Sequence, residues 1–265
     1  MKEAYMKLIF IGDIVGENGQ NAIVEFLPQI KQEFRPQLTI ANAENISDGR
    51  GIQYKHYKWL LNQGIDVITL GNHAFDHRNI FEFIHNAKCL VRPINLPETT
   101  PGHGVHYVKI NHLEIAILNV LGTAFMNIGI NAFVYLDTFI DQIRKRTPHI
   151  FIDFHAESTS EKQAFAHWLD GKVSAVIGTH THVQTNDGHI LNKGTAYLTD
   201  VGMTGSADSI IGFNKQSVIH RFVTQLPSRM EVEIKGPRLL SAVFVELDDQ
   251  TGQALKIVPI LKVNR

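Results

Sequence analysis

The sequence predicts a mixed α/β fold, and three features of the chain indicate it. Apolar, β-branched runs recur along the 265 residues. Segments with helical periodicity separate many of these runs, which is the pattern of strands joined by helices. The last third alternates apolar and polar residues instead, as antiparallel strands do. We therefore expect a fold with both parallel and antiparallel sheet.

The whole chain, residues 1–265, is expected to form a single domain. No Pro-rich, Ser/Gly-rich or charged tract divides it, and no repeat recurs at a fixed period. Its 44% hydrophobic and 19% charged content are those of a soluble globular protein. A chain of this length can bury one sizeable core.

Several apolar runs end in polar residues that could not be buried without partners. These runs are LIFIGD (8–13), TIANAEN (39–45), VITLGNH (67–73), IFIDFHAE (150–157) and AVIGTHTH (175–182). Ligands of α/β sheets bind beyond the carboxyl ends of the strands, where loops from distant parts of the chain converge. We therefore expect the functional site at these strand ends.

Helices are predicted between the strands from the spacing of apolar residues. The segments are 22–34, with Pro36 as its stop, then 54–61, 80–87 and 136–143. Ser158 and Glu161 form a capping-box pattern that opens a helix through Trp168 and Leu169. His155 is then expected in the short loop before this helix.

Antiparallel strands are predicted in the last third of the chain. The segment MEVEIK (230–235) alternates, and SAVFVEL (241–247) and ALKIVPIL (254–261) flank the turn sequence DDQTG.

The charge balance limits the partners of the protein. The net charge is −1 and the isoelectric point is near 6.9, so no basic surface is expected to hold long nucleic acid. A small anionic substrate remains compatible with local positive charge, such as metal ions. The apolar stretch 8–11 is too short for a signal peptide and no run could span a membrane, so a cytoplasmic protein is expected.

Eight polar residues at the strand ends are candidates for the chemistry: Asp13, Glu44, Asn45, Asn72, His73, His155, His180 and His182. Oxygen and imidazole donors without a thiolate favour a catalytic pair of metal ions over a structural zinc site. Such a pair needs a bridging carboxylate, and Glu44 is the natural one. In an extended segment, His180 and His182 would point to the same side and reach two adjacent ions.

Each of these signals is weak alone. The pair His180 and His182 could lie in a surface loop, and an Asn-His pair at a strand end is commonly a turn. Glu44 with Asn45 could be a solvated loop, and Asp13 could cap a helix. Their joint occurrence at strand ends is what these alternatives do not explain.

The order GD, GNH, a lone His and GTHTH resembles the calcineurin-like metallophosphoesterases. The similarity is closest to the YmdB-type phosphodiesterases. It rests on FIGDIVG (10–16), ANAEN (41–45), TLGNHAFD (69–76), LVRPINLPETTPG (90–102), FIDFHAESTSEK (151–162), IGTHTHVQT (177–185) and LTDVGMTG (198–205). Asp13 lacks the D-x-H histidine of the wider superfamily, and Glu44 replaces a common aspartate.

This resemblance implies a four-layer α/β/β/α sandwich and a di-metal centre of iron or manganese, with zinc as another option. It implies that Asp13, Glu44, Asn45 and His182 bind one metal, and that Glu44, Asn72, His155 and His180 bind the other. His73 matches the family's proton donor. The implied activity is cleavage of 2′,3′- or 3′,5′-cyclic nucleotides.

The expected chemistry is in-line displacement, with a hydroxide shared by the two metals attacking phosphorus and His73 protonating the leaving alkoxide. Asp76 is expected to orient His73. Arg92 could clamp a substrate phosphate or form a structural salt bridge. Two other functions stay open: a phosphomonoesterase or nucleotidase with the same ligands, and a nucleotide-binding regulatory protein. A homo-oligomer is compatible with the sequence, which does not fix the oligomeric state.

Overall fold

The computed structural model describes residues 5–126 and 128–264. The expected domain also includes residues 1–4, 127 and 265, which lie outside this described part. Within it, two β-sheets pack face to face and helices cover their outer faces. The predicted mixture of parallel and antiparallel strands is confirmed.

The first sheet contains eight strands in the order β2-β12-β13-β1-β3-β4-β5, with β14 also paired to β13. Strands β1, β3, β4 and β5 are parallel neighbours, whereas β13 runs antiparallel to β1 and to β14. The strands are β1 (Tyr5–Ile11), β2 (Asp13–Ile14), β3 (Leu38–Asn42), β4 (Val67–Thr69), β5 (Leu90–Val91), β12 (Met203–Ser206), β13 (Arg238–Asp248) and β14 (Ala254–Val263).

The second sheet contains six strands in the order β10-β11-β9-β8-β7-β6. Its central strands β7, β8, β9 and β11 are parallel, and the hairpin β6–β7 is antiparallel. The strands are β6 (Val105–Ile110), β7 (Leu113–Leu121), β8 (His149–His155), β9 (Ala175–Thr179), β10 (His189–Ile190) and β11 (Ala196–Leu198).

The six helices of the described residues are α1 (Gly16–Phe34), α2 (Tyr54–Asn62), α3 (Ile80–Phe83), α4 (Ala132–Arg144), α5 (Thr159–Trp168) and α6 (Lys215–Thr224). None of the helices in this part of the chain is both long and apolar enough to cross a membrane.

Alternating side chains of the strands divide the core into three layers. In β1, Leu8 and Phe10 face the second sheet, while Ile9 and Ile11 pack under the helices on the other side. This follows from the two-residue period of a strand. Phe10 meets Phe151 of the second sheet edge to face, with ring centroids 5.1 Å apart. The opposite face of the second sheet packs on α4 and α5. The four-layer α/β/β/α sandwich is therefore confirmed.

Most predicted helices are present with shifted bounds. Helix α1 begins six residues before the predicted 22 and ends at Phe34, before the predicted stop Pro36. The predicted helix 80–87 is too long: α3 ends at Phe83, and Asn86 N donates to Phe83 O at 2.9 Å in a tighter turn.

The capping box before α5 is only half formed. Ser158 Oγ accepts from Glu161 N at 3.4 Å, as predicted. The Glu161 carboxylate does not accept from the backbone N of Ser158, as a complete capping box requires. It accepts instead from Thr123 N at 2.8 Å and from Ala124 N at 3.2 Å. Glu161 therefore fixes the loop after β7. The predicted loop position of His155 is wrong, because it is the last residue of β8.

The hairpin of β13 and β14 is confirmed, but the strand predicted at 230–235 is wrong. This segment makes one isolated bridge, between Val232 and Phe213. Two backbone bonds flank this bridge, from Asn214 N to Glu231 O at 2.8 Å and from Glu233 N to Gly212 O at 2.9 Å, and residues 212–214 form no strand. It therefore has no sheet neighbour, within the described residues, with which to extend a ladder.

Candidate metal centre

The eight candidate residues converge where the carboxyl ends of parallel strands from both sheets meet. Those from the first sheet follow β1, β3 and β4, and those from the second sheet lie at or after the ends of β8 and β9. Direct contacts join the two groups, such as His180 N to Asp13 Oδ2 at 3.1 Å. The convergence expected from the sequence is thus present.

The first cluster of donor atoms surrounds His155. Its Nε2 lies 2.8 Å from Asn72 Oδ1, 3.1 Å from Glu44 Oε1 and 3.0 Å from His180 Nδ1. Possible ligand atoms of Glu44, His155 and His180 all lie within 4.8 Å of one another. Two imidazoles, a carboxylate and an amide oxygen at this spacing could hold one metal ion.

His155, His180 and His182 each have one ring nitrogen in contact with an oxygen atom of another residue. His155 Nδ1 lies 2.9 Å from Thr179 Oγ1, His180 Nε2 lies 3.1 Å from Glu157 Oε2, and His182 Nδ1 lies 2.8 Å from Ile211 O. A carboxylate or carbonyl oxygen can only accept, so these contacts favour the tautomers of neutral imidazole with the proton on His180 Nε2 and on His182 Nδ1. The other nitrogen is then left with its lone pair, as in metal-binding histidines.

A buried network fixes the orientation of His155. Thr179 Oγ1 donates to Asp153 Oδ1 at 2.6 Å, so this hydroxyl accepts from His155 Nδ1. The other oxygen, Asp153 Oδ2, accepts from Thr69 Oγ1 at 2.6 Å and Asn42 Nδ2 at 2.9 Å. Burial raises the pKa of Asp153 to about 7. Asp153 thereby ties β8 to the ends of β3, β4 and β9.

The second cluster of donor atoms consists of Glu44, Asn45 and His182. Asn45 Nδ2 is 3.3 Å from Glu44 Oε1 and 3.1 Å from His182 Nε2. A half-turn of this amide would place Oδ1 at the same position, as an oxygen ligand. Glu44 Oε1 therefore contacts both His155 and Asn45, so the two clusters share it.

Asp13 is fully buried and incompletely paired. Its Oδ1 has no hydrogen-bond partner among the described residues and lies 3.9 Å from His155 Nδ1. Burial raises the pKa of Asp13. A buried carboxylate oxygen without a donor is costly, and a cation would compensate it. This orphaned oxygen fits a second metal ion.

The electrostatics of the centre are dominated by Glu44 and His155. Burial favours the neutral carboxyl of Glu44, but the charge and hydrogen bond of His155 outweigh it and lower the pKa to about 2. Burial likewise disfavours the charged His155, yet Glu44 and Asp13 raise its pKa to about 9. Burial, with the charge of His155, lowers the pKa of His180 to about 3. The negative charge that raises the pKa of His155 would also attract a metal cation.

The segment from His180 to His182 is not extended, which corrects the expectation from the sequence. His180 has φ of 98° and His182 has φ of 66°. Positive φ is strained for residues with a β-carbon, and such strain clusters at functional sites. Both rings still reach the centre, His180 toward His155 and His182 toward Asn45.

His73 lies beside the donor clusters without joining them. Its backbone N donates to Glu44 Oε2 at 2.9 Å, and its Nδ1 lies 2.8 Å from Asp76 Oδ2. Its side chain is 25% exposed and lines the cavity over the centre. The expected contact between Asp76 and His73 is therefore present.

The cavity over the centre has a volume of about 330 Å³. Besides the candidates, Arg50, Glu157, Ile211, Phe213 and Met230 line it, and the sequence patterns did not single these out. Arg50 follows the ANAEN motif and Glu157 is the last residue of FHAE, so their place near the site could have been inferred. The other three come from distant loops, for which no sequence signal exists.

Among the described residues, Arg92 forms no salt bridge, and its position does not fit a phosphate clamp. It is 7% exposed, and its guanidinium donates to backbone carbonyls of Pro93, Ile94 and Thr100. It does not line the cavity. Arg92 therefore stabilises its own loop.

Comparisons with known proteins agree with this geometry. A family model described as YmdB-like protein matches residues 9–260. The 2′,3′-cyclic-nucleotide 2′-phosphodiesterase of Bacillus subtilis (strain 168) is 49% identical over 256 residues, covering 97% of each chain. A solved structure described as a novel phosphatase from Mycoplasma pneumoniae is 38% identical, with a TM-score of 0.92 over 98% of this chain and 94% of that one. A hypothetical protein from Thermus thermophilus is 37% identical, with a TM-score of 0.91 over 98% of this chain and 100% of the other.

The fold, the clustered donors and these relatives together define a phosphoesterase. More narrowly, the chain belongs to the YmdB-like protein family. The resemblance found in the sequence motifs is confirmed.

Proposed function

We propose that the protein is a di-metal phosphodiesterase that hydrolyses small phosphodiesters, with 2′,3′- or 3′,5′-cyclic nucleotides as substrates. One observation carries the proposal: His155, His180 and His182 each have one ring nitrogen in contact with a protein oxygen. The other nitrogen faces the candidate donor residues, with His155 Nε2 beside Asn72 and Glu44, His180 Nδ1 beside His155, and His182 Nε2 beside the Asn45 amide. Imidazoles held in this way are typical of metal ligands. The name of the Bacillus subtilis relative supports cyclic nucleotides as the substrate class.

Two sets of residues would hold the ions. Glu44, Asn72, His155 and His180 form one set, and Asp13, Glu44, Asn45 and His182 form the other. Glu44 belongs to both because its Oε1 contacts both His155 and Asn45. Iron or manganese suits this mixture of oxygen and imidazole ligands, and zinc is a further option. When bound, such ions supply an activated water as nucleophile and neutralise charge on the phosphoryl oxygens.

His73 is the proposed proton donor. In hydrolysis, a water oxygen bonds to phosphorus, one phosphorus–ribose oxygen bond breaks, and the departing oxygen takes a proton. Asp76 Oδ2 lies 2.8 Å from His73 Nδ1, which leaves Nε2 to deliver that proton. A general acid has to present its proton within hydrogen-bond reach of the leaving oxygen, and this contact fixes the ring orientation that does so.

The test combines elemental analysis with a substrate panel. Protein purified without chelators should contain two transition-metal ions per chain and hydrolyse cyclic nucleotides faster than nucleoside monophosphates. His182→Ala should lose one ion, whereas His112→Ala, at an exposed turn, should keep both. Faster hydrolysis of monoesters than of any diester would overturn the substrate class, and an unchanged metal content in His182→Ala would overturn the ligand set.

A further inference from the structure

A second cavity of about 350 Å³ adjoins the one over the metal centre. Arg50, Phe213 and Met230 line both cavities, so the two are adjacent. The second cavity is also lined by Arg221 and Arg229, by Ser228 and by Asp48. Its three guanidinium groups outnumber its carboxylate. A locally positive hollow beside the site contrasts with the net charge of −1 of the whole chain.

The guanidinium groups of this cavity are available to a ligand. Arg221 Nη1 lies 3.3 Å from Met230 Sδ, and a thioether is only a weak acceptor. Arg229 is exposed and makes no hydrogen bond or ion pair within the described residues. Arg50 lies 3.8 Å from Asp76, with its side chain 65% exposed. Arginines that stabilised the fold would instead have strong protein acceptors, as Arg92 does.

Three parts of the chain hold the walls of the cavity in place. The loop carrying Arg50 is tied to the metal centre, because Gly49 N donates to Asn45 O at 3.1 Å. Arg221 lies in the last turn of α6. The segment with Ser228 packs on this helix, with Ser228 Oγ donating to Ser217 O at 3.3 Å. The three arginines that line the second cavity therefore come from separate parts of the chain, each held in place by its own contacts.

We infer that this cavity binds a second phosphate, on the 5′ side of the nucleoside whose cyclic phosphate lies at the metal centre. Guanidinium groups bind phosphate through paired hydrogen bonds, and Phe213, between the two cavities, offers a surface on which a base can stack. The substrate class is then a short oligoribonucleotide ending in a 2′,3′-cyclic phosphate. The same chemistry would accept a nucleoside 2′,3′-cyclic phosphate with a free 5′-phosphate. This inference rests on the proposed function for the reacting phosphate.

Three substrates distinguish an internucleotide phosphate from a free 5′-phosphate as the ligand of this cavity. They are adenosine 2′,3′-cyclic phosphate, its 5′-phosphorylated form, and an adenosine dinucleotide ending in 2′,3′-cyclic phosphate. The kcat/KM should be about tenfold or more higher for the dinucleotide than for the mononucleotide, as expected for added charge-assisted contacts. A gain for the dinucleotide alone assigns the subsite to an internucleotide phosphate. An equal gain for the 5′-phosphorylated form assigns it to any 5′-phosphate.

The variant Arg221→Gln/Arg229→Gln should abolish this advantage and leave hydrolysis of the mononucleotide unchanged. Arg78→Gln removes a charge from an exposed residue outside both cavities and should preserve the advantage. Equal efficiency on all three substrates in the wild type, or an advantage that survives the double variant, would overturn the inference.

Equilibrium binding separates this inference from the proposed function. Fluorescence anisotropy of a 5′-labelled dinucleotide should show weaker binding to the double variant than to the wild type. If this difference appears but no diester is hydrolysed, the subsite stands and the proposed function fails. If diesters are hydrolysed and neither binding nor kcat/KM depends on the two arginines, the proposed function stands and the subsite fails.

Discussion

Lys162 Nζ lies 2.7 Å from Asp200 Oδ2, and neither side chain is exposed to solvent. The same ammonium donates to Thr179 O at 2.8 Å, and the same carboxylate oxygen accepts from Thr181 N at 3.1 Å. Thr179 and Thr181 flank His180, so this ion pair fixes the backbone on both sides of a positive-φ residue of the candidate metal centre. The pair links α5 to the end of β9. Both residues lie within the quoted motifs, but the sequence assigned neither of them a role.

Lys162→Met should lower the free energy of unfolding by about 3–5 kcal/mol, because it leaves the Asp200 carboxylate buried without its counter-charge. Denaturant titration measures this change. The double variant Lys162→Met/Asp200→Asn removes the buried charge while an amide oxygen can still accept from Thr181 N, so it should be more stable than the single variant. A double variant no more stable than Lys162→Met would contradict a charge effect.

Glu44→Gln should remove most of the activity and at least one metal ion while the fold persists, because a neutral amide cannot bridge two cations. An amide oxygen can still accept from His73 N, so the local backbone bond is preserved. Metal content and circular dichroism measure the two effects. Glu98→Gln, at an exposed loop position, serves as the control and should change neither. Near-normal turnover and metal content in Glu44→Gln would refute the bridging role.

His73→Ala should retain both metals and lower turnover of cyclic nucleotides by roughly 10²–10⁴-fold, the usual contribution of a general acid. The loss should be smaller for a nitrophenyl diester, because a weakly basic phenolate leaves without a proton. Asp76→Asn should cause a smaller loss than His73→Ala, since the imidazole remains. Equal losses on both substrates, or a missing ion, would make His73 a positioning residue or a ligand.

Gly178→Ala should lower the free energy of unfolding by at least about 1–3 kcal/mol, as overpacking does. A β-carbon at this position would lie 1.8 Å from Thr199 O, a backbone atom that cannot move independently. Gly205→Ala is the matched control, because its nearest contact would be an ordinary 3.5 Å. Thermal unfolding of both variants provides the measurement, and equal stability would show that the backbone near Thr199 can shift.

Much of the fold could be predicted because strands and amphipathic helices have local periodicities. The apolar runs in β1, β3, β8 and β9 were identified in this way. The predictions of secondary structure failed where a segment had the right local pattern but the tertiary structure did not support the predicted element. The 230–235 segment alternates as a strand does, yet no neighbouring strand among the described residues is available to it. The helix after Asn79 stops at Phe83 although its pattern continues.

The sequence by itself determined the α/β class and the residue types of the candidate centre, because both follow from local pattern and from motifs at strand ends. The tertiary structure alone decided which atoms face one another. Thr179, Glu157 and Ile211 hold the histidine rings, and Arg221 and Arg229 reach a cavity that Arg50 shares with the centre. These contacts join residues that are far apart in the chain. Their distances depend on how two sheets and six helices pack, and no local periodicity encodes that packing.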